Sequence, residues 1–193
     1  MTISKDLNSI IVPFYNEEST LEKSVLRLVN EQFKKEIILV NDGSTDKSSE
    51  IALNLEKKYG LIKLINFDKN RGKGFAIKNG IKEASGDIVG IFDADLEYSS
   101  EDLNDLIICL RMENLEFICG SRFIGNKTRN NIYLRTSIAN KLMSRLFSYV
   151  YKTKITDVAT CLKVFKREII ENINIEKNDF SIEIELIAKA ISQ

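Results

Sequence analysis

Three carboxylates stand two residues apart in "VGIFDADLEYSSEDL", residues 89–103: Asp93, Asp95 and Glu97. Acids this close repel one another, so their common placement needs a reason. In an extended segment, residues two apart point to the same side, and the three acids would then converge on one cation. Carboxylate-only ligation favours hard ions, Mg²⁺ or Mn²⁺, and Mg²⁺ usually completes its shell with water and substrate phosphates. Spacing excludes a calcium loop: counted from Asp93, an EF-hand requires Gly at 98 and Glu at 104, where Tyr98 and Asn104 stand. The plain alternative is a solvated acidic loop that caps a helix.

Two more polar loops could join this chemistry. "NDGSTD" (41–46) makes a tight Gly turn that leaves Asp42 at a strand tip, able to accept a hydrogen bond from a base N–H. Its Ser44, Thr45 and Asp46 read as an ordinary Asx turn with a helix cap. "NRGKG" (70–74) sets Arg71 and Lys73 among glycines. Such a loop permits close backbone approach, and its cations could meet phosphate. It matches neither the P-loop nor the dinucleotide fingerprint.

Composition narrows the options. The 193 residues contain no histidine, so a Ser-His-Asp or Cys-His nucleophile system and a histidine metal site are excluded. With 28 Lys+Arg against 28 Asp+Glu there is no basic whole-protein field for nucleic acid. Cys109, Cys119 and Cys161 are scattered, which reads as buried free thiols in a reducing compartment. The N-terminus lacks the apolar core of a signal peptide, and no run approaches the roughly 20 apolar residues that span a bilayer. A cytoplasmic chain is expected, or one peripheral on the inner face of the membrane.

Short apolar runs alternating with helical patterns must position these loops. Strands are expected at 9–14, 36–43, 61–67, 87–95 and 116–123. Helices are expected at 19–31, after a Ser44 or Thr45 cap up to Gly60, over 72–86, and after a capping box of Ser99 with Asp102. This alternation argues a single α/β domain over 1–193, with a parallel sheet and function at the carboxyl ends of its strands. Beyond 125 the alternation fades. Segment 132–151 is an amphipathic, basic helix that either lies on an anionic membrane or packs on the sheet. "CLKVFKREII" reads as a short strand running into a helix, and 181–193 as a final helix.

Taken in order, "IIVPFYNEE", "ILVNDGSTD", "NRGKGFAIKNGIKEASGDIV", "FDADLEYSSEDL", "GSR", "TDVATCLKVFKREII" and "FSIEIELIAKA" resemble the family 2 glycosyltransferases of the GT-A fold. The likeness is greatest to the dolichyl-phosphate mannose synthase-like branch, and it covers residues 9–190. It implies a Rossmann-like, mostly parallel sheet flanked by helices. It also implies a metal-dependent, inverting transfer from a UDP- or GDP-sugar to a polyprenyl phosphate, with Mg²⁺ or Mn²⁺ as cofactor. Pro13, Tyr15 and Glu17 would line the nucleotide pocket, with Lys73 beside them, and Asp42 would contact the base. Asp93 would face sugar and ribose, Asp95 the metal on the diphosphate, and Glu97 would be a further metal ligand. Arg122 would hold the acceptor phosphate with help from Arg135, while Asp157 and Glu183 match acids near the reaction centre.

Such an acceptor is already ionised and needs no strong base, whereas a sugar hydroxyl would need one, with Asp157 the candidate. A saccharide-accepting enzyme and a nucleotide-sugar-binding module without catalysis are the alternatives. The chain departs from the family at Ser99-Ser100, where Asp-Pro or Pro-Pro is usual, and at Leu162, often Tyr. It also ends at Gln193, where relatives continue, so the resemblance implies an incomplete acceptor region. Oligomeric state, base and sugar are left open.

Overall fold

Unbroken apolar runs in successive strands set the architecture. The structure, a computed structural model, describes residues 4–124 and 134–193, with side chains over 6–124 and 137–193. Six strands form one sheet: β1 (Ser4–Phe14), β2 (Lys35–Asp42), β3 (Ile62–Phe67), β4 (Gly86–Ile91), β5 (Phe117–Cys119) and β6 (Lys163–Lys166). Their order is β3-β2-β1-β4-β6-β5. Along β1, Ile10 and Val12 face one side and Ile11 the other; along β2, Ile37 and Leu39 oppose Ile38 and Val40. All seven are fully buried, so both faces of the sheet are covered. One face carries α1 (Leu21–Asn30), α2 (Ser48–Lys58) and α4 (Ser100–Met112). The other carries α3 (Lys73–Glu83), α6 (Arg167–Asn172) and α7 (Ile182–Ile191). A further helix, α5 (Leu134–Val150), packs Phe147 against Val158 and Ile187.

The expected α/β class and strand–helix alternation are present, and the capping box is formed. The Ser99 hydroxyl accepts from the Asp102 N–H, and the Asp102 carboxylate accepts from the Ser99 N–H. Three local expectations change. Helix α2 starts at Ser48 rather than after Ser44 or Thr45, because those residues are drawn into the neighbouring loop. The Ser44 hydroxyl accepts from Asn16 N–H, and Thr45 N–H donates to Asn16 Oδ1. The strand expected over 116–123 is only three residues long and lies at the sheet edge.

The third change is β6, which enters between β4 and β5 and runs antiparallel to both. Because it runs against the other strands, its beginning lies at their carboxyl ends. The segment leading into it, Asp157 to Leu162, is thereby delivered to the functional edge of the sheet.

Candidate active site

The carboxyl ends of β1, β2 and β4 surround a cavity of about 270 Å³. It is lined by Pro13, Tyr15, Glu17, Asp42, Lys73, Asp93 and Asp95, all singled out from sequence, and also by Phe14, Asn70, Gly72, Ala76, Ala94 and Phe180. Phe180, 75% exposed, was missed. Its signal was its place at the head of the "FSIEIE" segment, and its ring centroid lies 5.7 Å from the Lys73 ammonium.

The acidic triplet is not arranged as an extended strand would arrange it. Strand β4 ends at Ile91, and the chain then turns, with Leu96 at φ +63°. Consequently Asp93, Asp95 and Glu97 separate. Asp93 is drawn to Lys73, with Oδ2 2.6 Å from Nζ, while Glu97 faces the Arg122 guanidinium at 3.4 Å. Asp95 stays exposed, and its Oδ1 accepts the Glu97 N–H at 2.9 Å. Among the described residues no three carboxylates or thiols form a ready-made metal cage.

The donor set nevertheless suits a hard divalent ion. Asp93 Oδ1 is buried and has no hydrogen-bond partner among the described residues, and the exposed Asp95 carboxylate lines the same cavity. One or two carboxylates, with phosphate and water completing the shell, are the usual protein share of a Mg²⁺ site.

Behind Asp93 lies a buried charge network. Lys73 sits between Asp93 and Glu183, 2.6 Å from each, and Glu183 also pairs with Lys163, which is fully buried. Two cations and two anions balance, which is the condition for burying them. Burial alone would lower the Lys73 pKa, but Asp93 and Glu183 override it and keep the ammonium charged. Burial would raise Glu183, and Lys163 with Lys73 holds it below the ordinary glutamate value. Asp93 is pushed up by burial, which Lys73 only partly offsets. Lys163 was not singled out from sequence; a lysine between the apolar Leu162 and Val164 was its only signal.

Asp42 is buried, and its oxygens accept the Arg71 and Gly72 N–H groups at 3.0 and 2.7 Å. It clamps the "NRGKG" loop as well as lining the cavity. The glycines of that loop make their close approach to the chain's own 177–179 segment. A Cβ on Gly72, at φ +101°, would lie 2.3 Å from Asn178 O, and one on Gly74 2.4 Å from Lys177 O. Gly72→Ala is therefore expected to cost about 1–3 kcal/mol, read as a lower thermal midpoint.

The second cluster centres on Arg122, which follows β5. Asp157 is almost fully buried, and its two oxygens accept four donors. Arg122 Nη2 and Asn140 Nδ2 reach Oδ1 at 2.9 and 2.6 Å. Arg122 Nε and backbone N–H reach Oδ2 at 2.8 and 2.9 Å. A carboxylate has about four lone-pair sites, so all are taken. This corrects the expectation of Asp157 as a base: burial would raise its pKa, but the Arg122 and Asn140 hydrogen bonds lower it. Among the described residues, Arg122 Nη1 faces only Glu97. Arg135 lies in the first turn of α5, and its side chain lies outside the described residues.

The sequence pattern that defines glycosyl transferase family 2 matches residues 9–173. The chain belongs to that family. It is 31% identical over 187 residues to a dolichol-phosphate mannosyltransferase from Pyrococcus furiosus, covering 94% of this chain and 52% of the relative. Over 176 residues it is 31% identical to a dolichyl-phosphate beta-glucosyltransferase from Trichomonas vaginalis, covering 83% and 53%. The chain thus spans about half the length of these two curated relatives. Among solved structures, the fold matches a glucosyl-3-phosphoglycerate synthase from Mycobacterium tuberculosis in complex with Mn²⁺, uridine diphosphate and glucosyl-3-phosphoglycerate. The TM-score is 0.75, with 17% identity, 97% of this chain and 66% of that one. The family 2 sheet here is accordingly of the GT-A type.

Proposed function

We propose that this family 2 chain moves a sugar from a nucleoside-diphosphate sugar, UDP- or GDP-linked, to a polyprenyl phosphate, using Mg²⁺ or Mn²⁺. The observation that carries the reading is one cavity holding an unpartnered buried Asp93 oxygen and the exposed Asp95 carboxylate at the mouth of a parallel sheet. The names of the relatives, dolichol-phosphate and dolichyl-phosphate sugar transferases, support the acceptor class. The synthase holding Mn²⁺ and uridine diphosphate supports the donor class.

In this reading Tyr15 and Asp42 meet the nucleoside, and Lys73 holds Asp93 in place. Asp95, with Asp93 adjoining, would hold the divalent ion, which would supply charge neutralisation to the leaving diphosphate. An oxygen of the acceptor phosphate forms a bond to C1 of the sugar from the opposite face. The C1–O bond to the diphosphate breaks, and the nucleoside diphosphate leaves with its electron pair. The acceptor is already ionised, so no proton need be taken. Arg122, its fork locked by Asp157, would present Nη1 to the acceptor phosphate. A lipid-borne acceptor places the reaction at a membrane face. Among the described residues no helix is long and apolar enough to cross a membrane.

A saccharide acceptor is the second reading, favoured by Glu97. This half-buried carboxyl is pushed up by burial and could take a hydroxyl proton. A panel of UDP- and GDP-sugars assayed with Mn²⁺ against a short polyprenyl phosphate and against free saccharides decides between them. Transfer to the lipid phosphate is expected. Transfer only to saccharide would replace the first reading with the second, and donor binding without any turnover would leave a binding module.

A further inference from the structure

Helix α5 is built inside out. Its inward side is largely polar: Asn140 donates to Asp157, and the Ser144 hydroxyl accepts the Val158 N–H, both side chains being buried. Its outward side carries Ile138, Leu142, Leu146 and Tyr149, which are 60%, 66%, 63% and 83% exposed. At spacings of four, four and three residues they form one stripe along the helix. An apolar stripe of this length on a helix whose other side is already seated asks for a cover.

Charge indicates which cover. The chain has equal numbers of acids and bases, yet from Phe117 to Thr156 it has eight Lys and Arg and no Asp or Glu. Among them, Lys141, Arg145, Lys152 and Lys154 are exposed on α5 or just after it. Two copies of this face brought together would oppose cation to cation across the apolar seam, with no acid on either side to pair them. An anionic bilayer supplies both apolar depth and negative charge.

We propose that the outward face of α5 seats on an anionic lipid surface, with Ile138, Leu142, Leu146 and Tyr149 entering the acyl boundary and the flanking cations meeting headgroups. The inference extends the reading of a lipid-linked acceptor by naming the surface that meets the lipid. The docked helix stands one residue from the reaction side, since Asn140 bonds the same Asp157 that holds Arg122.

Cosedimentation with phosphatidylcholine vesicles, with and without phosphatidylglycerol and free of any polyprenyl phosphate, tests it. Binding is expected to the anionic vesicles, weakening as salt is raised. Leu142→Ser with Leu146→Ser should lower it roughly a hundredfold, and Lys141→Glu with Arg145→Glu roughly tenfold or more. These side chains are exposed, so circular dichroism should match the parent. Absence of vesicle binding, or binding untouched by both double variants, overturns the proposal. So does a concentration-dependent dimer that Leu142→Ser with Leu146→Ser disperses. Transfer to a short, water-soluble polyprenyl phosphate should survive the Leu substitutions. Its absence in the parent chain would count against the transferase reading alone.

Discussion

Asp95→Asn is expected to lower sugar transfer by a factor of about 10²–10³ while leaving thermal unfolding unchanged. The loss follows from removing charge at the position where the metal-bound diphosphate would form, an electrostatic contribution of the size seen when one stabilising group is lost. The unchanged stability follows from exposure. Among the described residues Asp95 makes one hydrogen bond, from the Glu97 N–H to Oδ1, and an asparagine oxygen can accept it equally well. Surface changes of this kind usually stay within about 0.5 kcal/mol. Initial rates with saturating Mn²⁺, set beside a melting curve, give the comparison. Parent-like turnover by Asp95→Asn in the presence of a chelator would remove the metal from the scheme.

Asp93 cannot be treated the same way. Unlike Asp95, it shares Lys73 with Glu183 inside the buried network. Asp93→Asn would leave two lysines to a single carboxylate, so it should lose stability as well as activity. Only the Asp95 substitution separates chemistry from folding.

The second large effect is expected at Asp157. Replacing it with alanine strips Arg122 of its bidentate partner and leaves a mostly buried cation with, among the described residues, Glu97 and the Ala159 carbonyl. Breaking a buried pair from one side costs about 3–5 kcal/mol, which for a chain of this length lowers the melting temperature by roughly 6–20 °C. Transfer should fall too, because the fork that aims Nη1 is gone. The conservative Asp157→Asn separates shape from charge through pH. The folded-state pKa of Asp157 lies below its ordinary value, so its ionised form adds stability above the ordinary aspartate range. That contribution disappears as pH falls from that range toward the lowered value. The parent should therefore lose stability on acidification more steeply than Asp157→Asn. Equal slopes would mean that the carboxylate contributes nothing as a charge.

The fold was legible where local signals agree with burial. In β1 and β2 the unbroken apolar runs leave apolar side chains for each face, and a sheet covered on both sides is the structure that buries them all. The Ser99–Asp102 box could be read directly because its partners are three residues apart. β5 was overestimated and β6 understated for one reason. Pairing between β4 and β6 joins residues more than seventy apart, and no local pattern says that a late, short strand will enter between two earlier ones.

Sequence alone pointed to several of the side chains that line the cavity, though not to Phe180. Tyr15, Asp42, Lys73, Asp93 and Asp95 each follow or close an apolar strand in an alternating pattern, and parallel topology brings such positions to one edge. Tertiary structure alone decided what each of them can do there. Asp157 and Asp95 are both single acids in polar loops, yet one has every lone pair taken and the other stands open. The glycines of "NRGKG" make room for the chain's own residues 177–179, and the apolar side of α5 faces outward. In each case the deciding partner is distant in sequence. A charge or an apolar stripe is written the same way whether the fold pairs it or leaves it free.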